Sequence, residues 1–373
     1  MKSRLSFLLT LLAFAAALSV NFAADSVPDR IPASEFSKII ASFSEESGSF
    51  ISDNLISNED GYLSVLKKMR QLHISGGAYL GVGPEQNFTY IAKLRPAIAF
   101  LIDIRREAII QHLMYKALFH LSKNRAEFLS RLLSRQLPGK KTPDANATIW
   151  TLTKYFSEAQ PDKSFYTANL AEILRIIQSE FEFPLSNNDR ESLTSIYKSF
   201  YTEGIDLSFQ FKTFRRRRFS GMPSLRELLE QVDADGKPGN YLANSADYQF
   251  VRDLHEKNRI IPVVGDFAGP KTLKSIAGYL RDHSYPLNVF YTSNVEMYLF
   301  ESDAFSNFVN NVKALPTTPD SLFIRSAQSN YIDQFQNGFR MVTLLQSISS
   351  FKEDQKKELY PDYWTLVNAS AIR

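Results

Sequence analysis

Apolar residues fall in short uninterrupted runs rather than in strict alternation. Ala78–Val82 and Ile98–Ile102 are the clearest, and the second closes at Asp103. Continuous apolarity is the pattern of a strand covered on both faces. Between the two runs, Gly83-Pro84 marks a turn and a short helical pattern passes through Phe88 and Ile91 before Pro96. Ala108–Leu121 predicts a second helix, so the unit reads strand–helix–strand–helix, which favours parallel pairing. Upstream, Ile31–Met69 has mostly helical texture. Downstream of Ser122, helical stretches such as Ala126–Leu133, Asn169–Phe181 and Asp189–Tyr201 dominate as far as about Phe250. Strand texture returns at Ile260–Val264, Leu287–Tyr291 and Leu322–Ile324, with helical patterns at Lys271–Arg281 and Ala304–Val312 between them. A closing strand pair is expected at Arg340–Leu345 and Trp364–Val367. The simplest architecture is α/β: a doubly wound, mostly parallel sheet with a large helical insertion. Its parts are a leader and first half-sheet over 25–121, the insertion over 122–250, and a second half-sheet over 251–373. Leu137–Asn146, with Pro138, Gly139 and Pro143, is the best internal linker.

The first 24 residues have the order of a secretory signal. Lys2 and Arg4 precede an apolar stretch, Leu5–Leu18, followed by small residues that offer cleavage after Ala17-Leu18-Ser19 or at Ala23-Ala24. The stretch is shorter than the ~20 residues that span a bilayer. Export to the periplasm or outside the cell is therefore expected, with an uncleaved N-terminal anchor as the alternative. Loss of Lys2 and Arg4 with this leader takes the formal charge from +3 to +1. A near-neutral chain has no global electrostatic reason to bind nucleic acid. With 44% hydrophobic and 22% charged residues, the chain is expected to fold. The absence of cysteine excludes disulfides, thiolate metal sites and cysteine nucleophiles. The five histidines show no HExxH or other close ligand spacing, so no metal site is expected. Neither a Gly-x-Ser-x-Gly elbow nor a Walker A loop is present. The basic run Arg215–Arg218 reads as a solvated loop of the insertion.

Three loops follow strands, at the edge where open α/β sheets bind ligands. The first is Gly81-Val82-Gly83-Pro84-Glu85-Gln86-Asn87, with Asp103 closing the next strand 22 residues after Gly81. Glycine there allows close backbone approach to a ligand, and a strand-terminal acid is where nucleotide-binding folds hold ribose. The plain alternative is a tight turn and a helix-capping aspartate. The second is Gly265-Asp266-Phe267-Ala268-Gly269-Pro270, where Asp266 could accept from an adenine amino group with Phe267 against the ring. The third is Tyr291-Thr292-Ser293-Asn294-Val295-Glu296, which places Asn294 and Glu296 at a reacting end. Asp266 and Asn294 serve equally well as helix N-caps.

The order of elements resembles the class I S-adenosylmethionine-dependent methyltransferase fold, a Rossmann-type arrangement. The three blocks Gly81–Phe88, Val264–Lys271 and Phe290–Glu296 more closely resemble those of an uncharacterised bacterial protein family. The methyltransferase resemblance implies S-adenosylmethionine as cofactor, with Gly81 and Gly83 beneath it, Asp103 on ribose and Asp266 at adenine; Glu85 and Asn87 belong to the same binding turn. Tyr79 and Glu85 depart from the methyltransferase pattern, which has an acid and a glycine there. Two functions follow. One is a methyltransferase-like enzyme that mainly aligns donor and acceptor. The other is an exported, non-catalytic module binding a polar small molecule or a protein partner.

Overall fold

The computed structural model describes residues 29–370 apart from 138, 140–142, 145, 210–221 and 333–337. The leader 1–24, part of the Leu137–Asn146 linker and the Arg215–Arg218 run lie outside the described residues. The chain opens with α1 (Ala33–Phe43), α2 (Leu66–Gln71), β1 (Ala78–Val82), α3 (Gln86–Leu94), β2 (Ile98–Asp103) and α4 (Arg106–Leu121). The insertion contributes α5 (Arg125–Leu133), α6 (Ile149–Glu158), α7 (Lys163–Ser179), α8 (Asn187–Glu203) and α9 (Leu225–Glu230). Then come α10 (Ser245–Glu256), β3 (Ile260–Val264), α11 (Thr272–Asp282), β4 (Leu287–Ser293), α12 (Val295–Glu301) and α13 (Phe305–Ala314). The chain closes with β5 (Thr317–Gln328), β6 (Met341–Ser347), α14 (Ile348–Lys356) and α15 (Tyr363–Ala369).

The six strands form one sheet in the order β3-β2-β1-β4-β5-β6. Every pairing is parallel except that of β6 with β5. The expected α/β class and mostly parallel sheet are thus present. Strand β2 lies between β1 and β3 and is buried along its whole length, which is why its sequence has no polar alternation. Neighbouring residues of β4 show the two covered faces. Phe290 meets Phe267 and Phe308, whereas Tyr291 meets Tyr90 of α3.

The insertion is built onto the sheet domain through α4, which contacts α5, α7 and α8 outside and β2 and β3 inside. Burial on both sides accounts for the unbroken buried run Ala108–Phe119, which even includes Gln111, His112 and Lys116. Local sequence starts the insertion helices. Asn124, Thr148, Asp162, Ser186 and Ser224 each accept the backbone N–H three residues on, satisfying a donor the helix leaves unpaired.

Two expectations are corrected. Trp364–Val367 lies in helix α15, because Asp362 caps the Thr365 N–H and starts a helical turn; β6 pairs with β5 instead. Within Ile31–Met69, residues 44–65 are not helical; that stretch crosses one edge of the sheet. Among the described residues, no helix is long and apolar enough to cross a membrane.

Phe88 joins these layers. It lies edge-on to His112, Tyr115 and Phe119 of α4, to Tyr241 and to His255 of α10. Phe88→Ala should lower unfolding free energy by about 3–5 kcal/mol in urea titrations, as for other fully buried aromatics. A loss under about 1 kcal/mol would mean the two layers do not share this core.

Candidate functional site

Strand order reverses direction between β1 and β4, so the turns after these strands flank the switch point where open α/β sheets place ligands. The turn after β1 is organised by Asn87. Its amide donates to the carbonyls of Val82 (2.9 Å), Gly83 (3.0 Å) and Pro84 (2.8 Å), and its oxygen accepts from Tyr79 Oη (2.8 Å). A Cβ on Gly81 would run into that Asn87 oxygen and lie 2.8 Å from the Tyr79 ring and hydroxyl. Glycine at 81 therefore makes room for the Tyr79–Asn87 pair. Tyr79, one of the departures from the methyltransferase pattern, explains this glycine. Gly83 is different: its φ is +81° and nothing lies within 4 Å of where a Cβ would be. Its backbone faces open space, and its carbonyl accepts from His112 Nε2 at 3.0 Å.

Residues 44–61 run along the carboxyl edge in the spatial order of the strands. The Glu45 N–H donates to Val264 of β3 (3.0 Å), and that of Gly48 to Ile104 just past β2 (2.7 Å). Arg105 Nη1 reaches the carbonyls of Ser52 and Asp53. Past β1, Ser57 Oγ donates to Gln86. Glu59 then occupies the switch point, accepting from Gln86 Nε2 (2.9 Å), Tyr291 Oη (2.7 Å) and Ser293 Oγ. Asp60 accepts the N–H groups of Arg340 (2.9 Å) and Met341 (2.8 Å) where β6 begins.

Two carboxylates here are held out of water. Burial pushes Glu59 above the ordinary carboxylate range, and hydrogen bonds from Ser293, Tyr291 and Gln86 pull it back. Burial raises Glu85 to about 7; Oε1 accepts the Ser57 N–H at 3.4 Å, and Oε2 has no partner among the described residues. Burial lowers His112 to about 4, so the ring is neutral near pH 7. With Nε2 donating to Gly83, Nδ1 is left as an unpaired acceptor. Near pH 7 His112 is thus neutral and Glu85 about half protonated, both buried at the turn beside the hydroxyls and amide that surround Glu59. Among the described residues no Ser–His–Asp arrangement involves His112, whose Nε2 bonds the Gly83 carbonyl.

The other candidate residues divide. Gly81, Gly83, Glu85 and Asn87 share the first turn. Asp103 stands at the neighbouring strand end, but its carboxylate takes two bonds from Arg105, at 3.0 Å from Nε and 2.8 Å from Nη2. It also accepts the Arg105 N–H, so it acts inward. Asp266 is exposed and closes its own turn by accepting the Ala268 N–H (2.8 Å). Phe267 is buried with Phe290 and Phe308. Asn294 is half-buried at the start of α12, beside Ser293. Glu296 lies away from solvent in an ion pair with Arg325 (2.8 Å), both side chains fully buried. Sequence reading did not single out Glu45, Ser57, Glu59 or the Asp103–Arg105 pairing. Only Asp103-x-Arg105, two opposite charges flanking one residue, carried a local signal. Among the described residues no group of His, Asp and Glu side chains could hold a metal ion.

A family model described as a domain of unknown function, DUF7790, matches residues 55–371, nearly the whole described chain. The chain belongs to the DUF7790 family. No curated protein matches it. The DUF7790 match includes the switch-point residues from Ser57 to Ser293 and begins inside the edge-crossing segment, beyond Glu45.

The geometry makes Asp103→Ala a stability variant. Removing it leaves the buried Arg105 guanidinium without its partner, and about 3–5 kcal/mol of unfolding free energy should be lost in chemical denaturation. Glu85 makes stability depend on pH. Its folded value near 7 lies above the ordinary 4.5, so the folded state holds the proton longer and stability falls as pH rises between those values. Glu85→Gln should remove that fall and gain on the order of 2 kcal/mol over wild type at pH 8 relative to pH 4. Parallel stability–pH curves for the two proteins would contradict the burial of this carboxyl.

Proposed function

We propose that this DUF7790 protein is an exported α/β module that binds a polar small molecule at the crevice between the turns after β1 and β4. The observation that carries this reading is the open space at Gly83 on the turn at the switch point; the Glu85 oxygen that lacks a partner among the described residues is buried in the same turn. Hydroxyls, an amide and carboxyls line the neighbourhood, which suits hydrogen-bonded capture of a polar ligand. The two residues considered for a reacting end give little support for catalysis, since Glu296 is tied to Arg325 and Asn294 starts a helix.

A second reading, an S-adenosylmethionine-dependent methyltransferase, is favoured by one observation. The order β3-β2-β1-β4-β5 followed by an antiparallel β6 is similar to the methyltransferase arrangement. Fold alone does not assign chemistry, and the engagement of Asp103 by Arg105 removes the expected ribose acceptor from the crevice.

Calorimetric titration with S-adenosylmethionine, S-adenosylhomocysteine, NAD and adenosine monophosphate separates the readings. The module reading expects saturable binding of a panel member without conversion, and at least about tenfold weaker binding by Gly83→Val, whose side chain would fill the open face and, at a φ of +81°, strain the turn. Formation of S-adenosylhomocysteine from S-adenosylmethionine by the protein would favour the enzyme. Undiminished affinity in Gly83→Val would move the site away from this turn.

A further inference from the structure

Two loops meet around Arg125, the first residue of α5. Its guanidinium is buried and donates through Nη1 to the carbonyls of Leu242 (2.9 Å) and Ala243 (3.1 Å), and through Nη2 to that of Ala147 (2.8 Å). One arginine thus holds the loop that leads into α6 against the loop that leads into α10. Ser245 Oγ adds a longer contact, 3.4 Å to Asn146 Oδ1, between the same two loops. Between them lies a cavity of about 220 Å³ whose wall includes Asn146, Thr148, Trp150, Pro238, Asn244 and Ser245. Trp150 is 46% exposed, although Ile149, Leu152, Thr153 and Phe156 of the same helix are buried. The core therefore does not use this indole. A single exposed apolar side chain is ordinary, but this one forms the wall of a concavity whose rim is polar.

The rim decides what such a cavity takes. Arg125 is bonded to the chain's own carbonyls, and the two helix starts carry their own caps. Thr148 Oγ1 accepts the Thr151 N–H (3.1 Å), and Asn244 Oδ1 accepts that of Asp247 (2.9 Å). These helix starts are therefore a poor seat for an anion. The groups that face solvent are neutral: the Thr148 and Ser245 hydroxyls and the Asn146 and Asn244 amides, all on exposed residues. Among the described residues nothing accepts from Asn146 Nδ2. Amides that both donate and accept, set at the edge of an aromatic wall, suit a ligand with an apolar face and a belt of hydroxyls. A sugar ring has that shape: its C–H face lies on the indole and its hydroxyls exchange hydrogen bonds with the amides. The compact volume suits a single ring, with any further sugars extending into solvent. We propose that this cavity is a carbohydrate-binding site, with Trp150 as its stacking platform and Asn146 as a hydroxyl-bonding group. It shares no residue with the turns after β1 and β4, so it does not depend on the small-molecule reading there.

The chain has two tryptophans, Trp150 and Trp364, so the fluorescence of a Trp364→Phe variant reports on Trp150 alone. Trp364 is itself exposed, so its replacement should leave the fold intact. This variant is titrated with maltose, cellobiose, lactose and N,N′-diacetylchitobiose, and with glycerol as a control for hydroxyls in general. At least one disaccharide should change the Trp150 emission saturably, and glycerol should not. Calorimetry on the otherwise unchanged protein should then show at least about tenfold weaker binding of that disaccharide by Trp150→Ala. Asn146→Ala should weaken it as well, while Trp150→Tyr, which keeps an aromatic face, should retain binding. Both residues are exposed, so the variants should unfold at the wild-type temperature, which separates lost affinity from a lost fold. No saturable change with any of the four sugars, or undiminished affinity in Trp150→Ala, would overturn the proposal. So would a saturable response to an oligoproline peptide with none to the sugars, which would make the cavity a peptide site.

Discussion

Glu59 carries its carboxylate into the point where the sheet changes direction, and a buried carboxylate is tolerated only when donors surround it. Three donors do so, from two places in the chain: Gln86 at the start of α3, and Tyr291 and Ser293 at the end of β4. That requirement pins the leader between β1 and β4 and fixes the path on either side. Behind it, Ser57 must meet Gln86; ahead of it, Asp60 meets the first N–H groups of β6. The course of the leader from β3 to β6 follows from satisfying this one acid.

The same logic governs the rest of the carboxyl edge. Asp103 and Arg105 neutralise one another where solvent is excluded, and Arg105 then bonds the carbonyls of Ser52 and Asp53. Glu45 takes the free N–H groups at the start of α11, the place where helix geometry leaves donors unpaired. An edge that in other open α/β sheets presents free groups to a ligand is here met largely by the chain's own acids. Among the described residues Gly83, with open space at its backbone, and Glu85, with a buried oxygen lacking a partner, differ from this, and both sit on the turn after β1.

Helix α4 has a comparable role on the opposite side of the sheet's first half. It is packed by the sheet and by the insertion at once, so polar residues such as His112 and Lys116 are carried inside with it. His112 answers by bonding the Gly83 carbonyl, and Lys116 by bonding the His255 carbonyl, while burial lowers its ammonium to about 7. The insertion thereby encloses the helix whose His112 bonds the turn, while His112 itself belongs to α4.

Much of the fold was legible in the sequence. The runs Ala78–Val82, Ile98–Ile102 and Ile260–Val264 are apolar because both faces of their strands are covered, and burial of that kind writes itself into consecutive residues. Caps such as Asn124 and Ser186 are equally local, since a side chain that bonds an N–H three residues on needs nothing else. The Gly83 turn could be read for the same reason. Tertiary structure alone decided the rest. Whether Asp103 faced a ribose or an arginine, whether Phe267 faced an adenine or Phe308, and whether Glu296 met a substrate or Arg325 each depended on atoms distant in the sequence or on which way a side chain turned. Glu59 shows the limit most clearly: its partner Ser293 is 234 residues away, and no periodicity or spacing records a hydrogen bond across that distance.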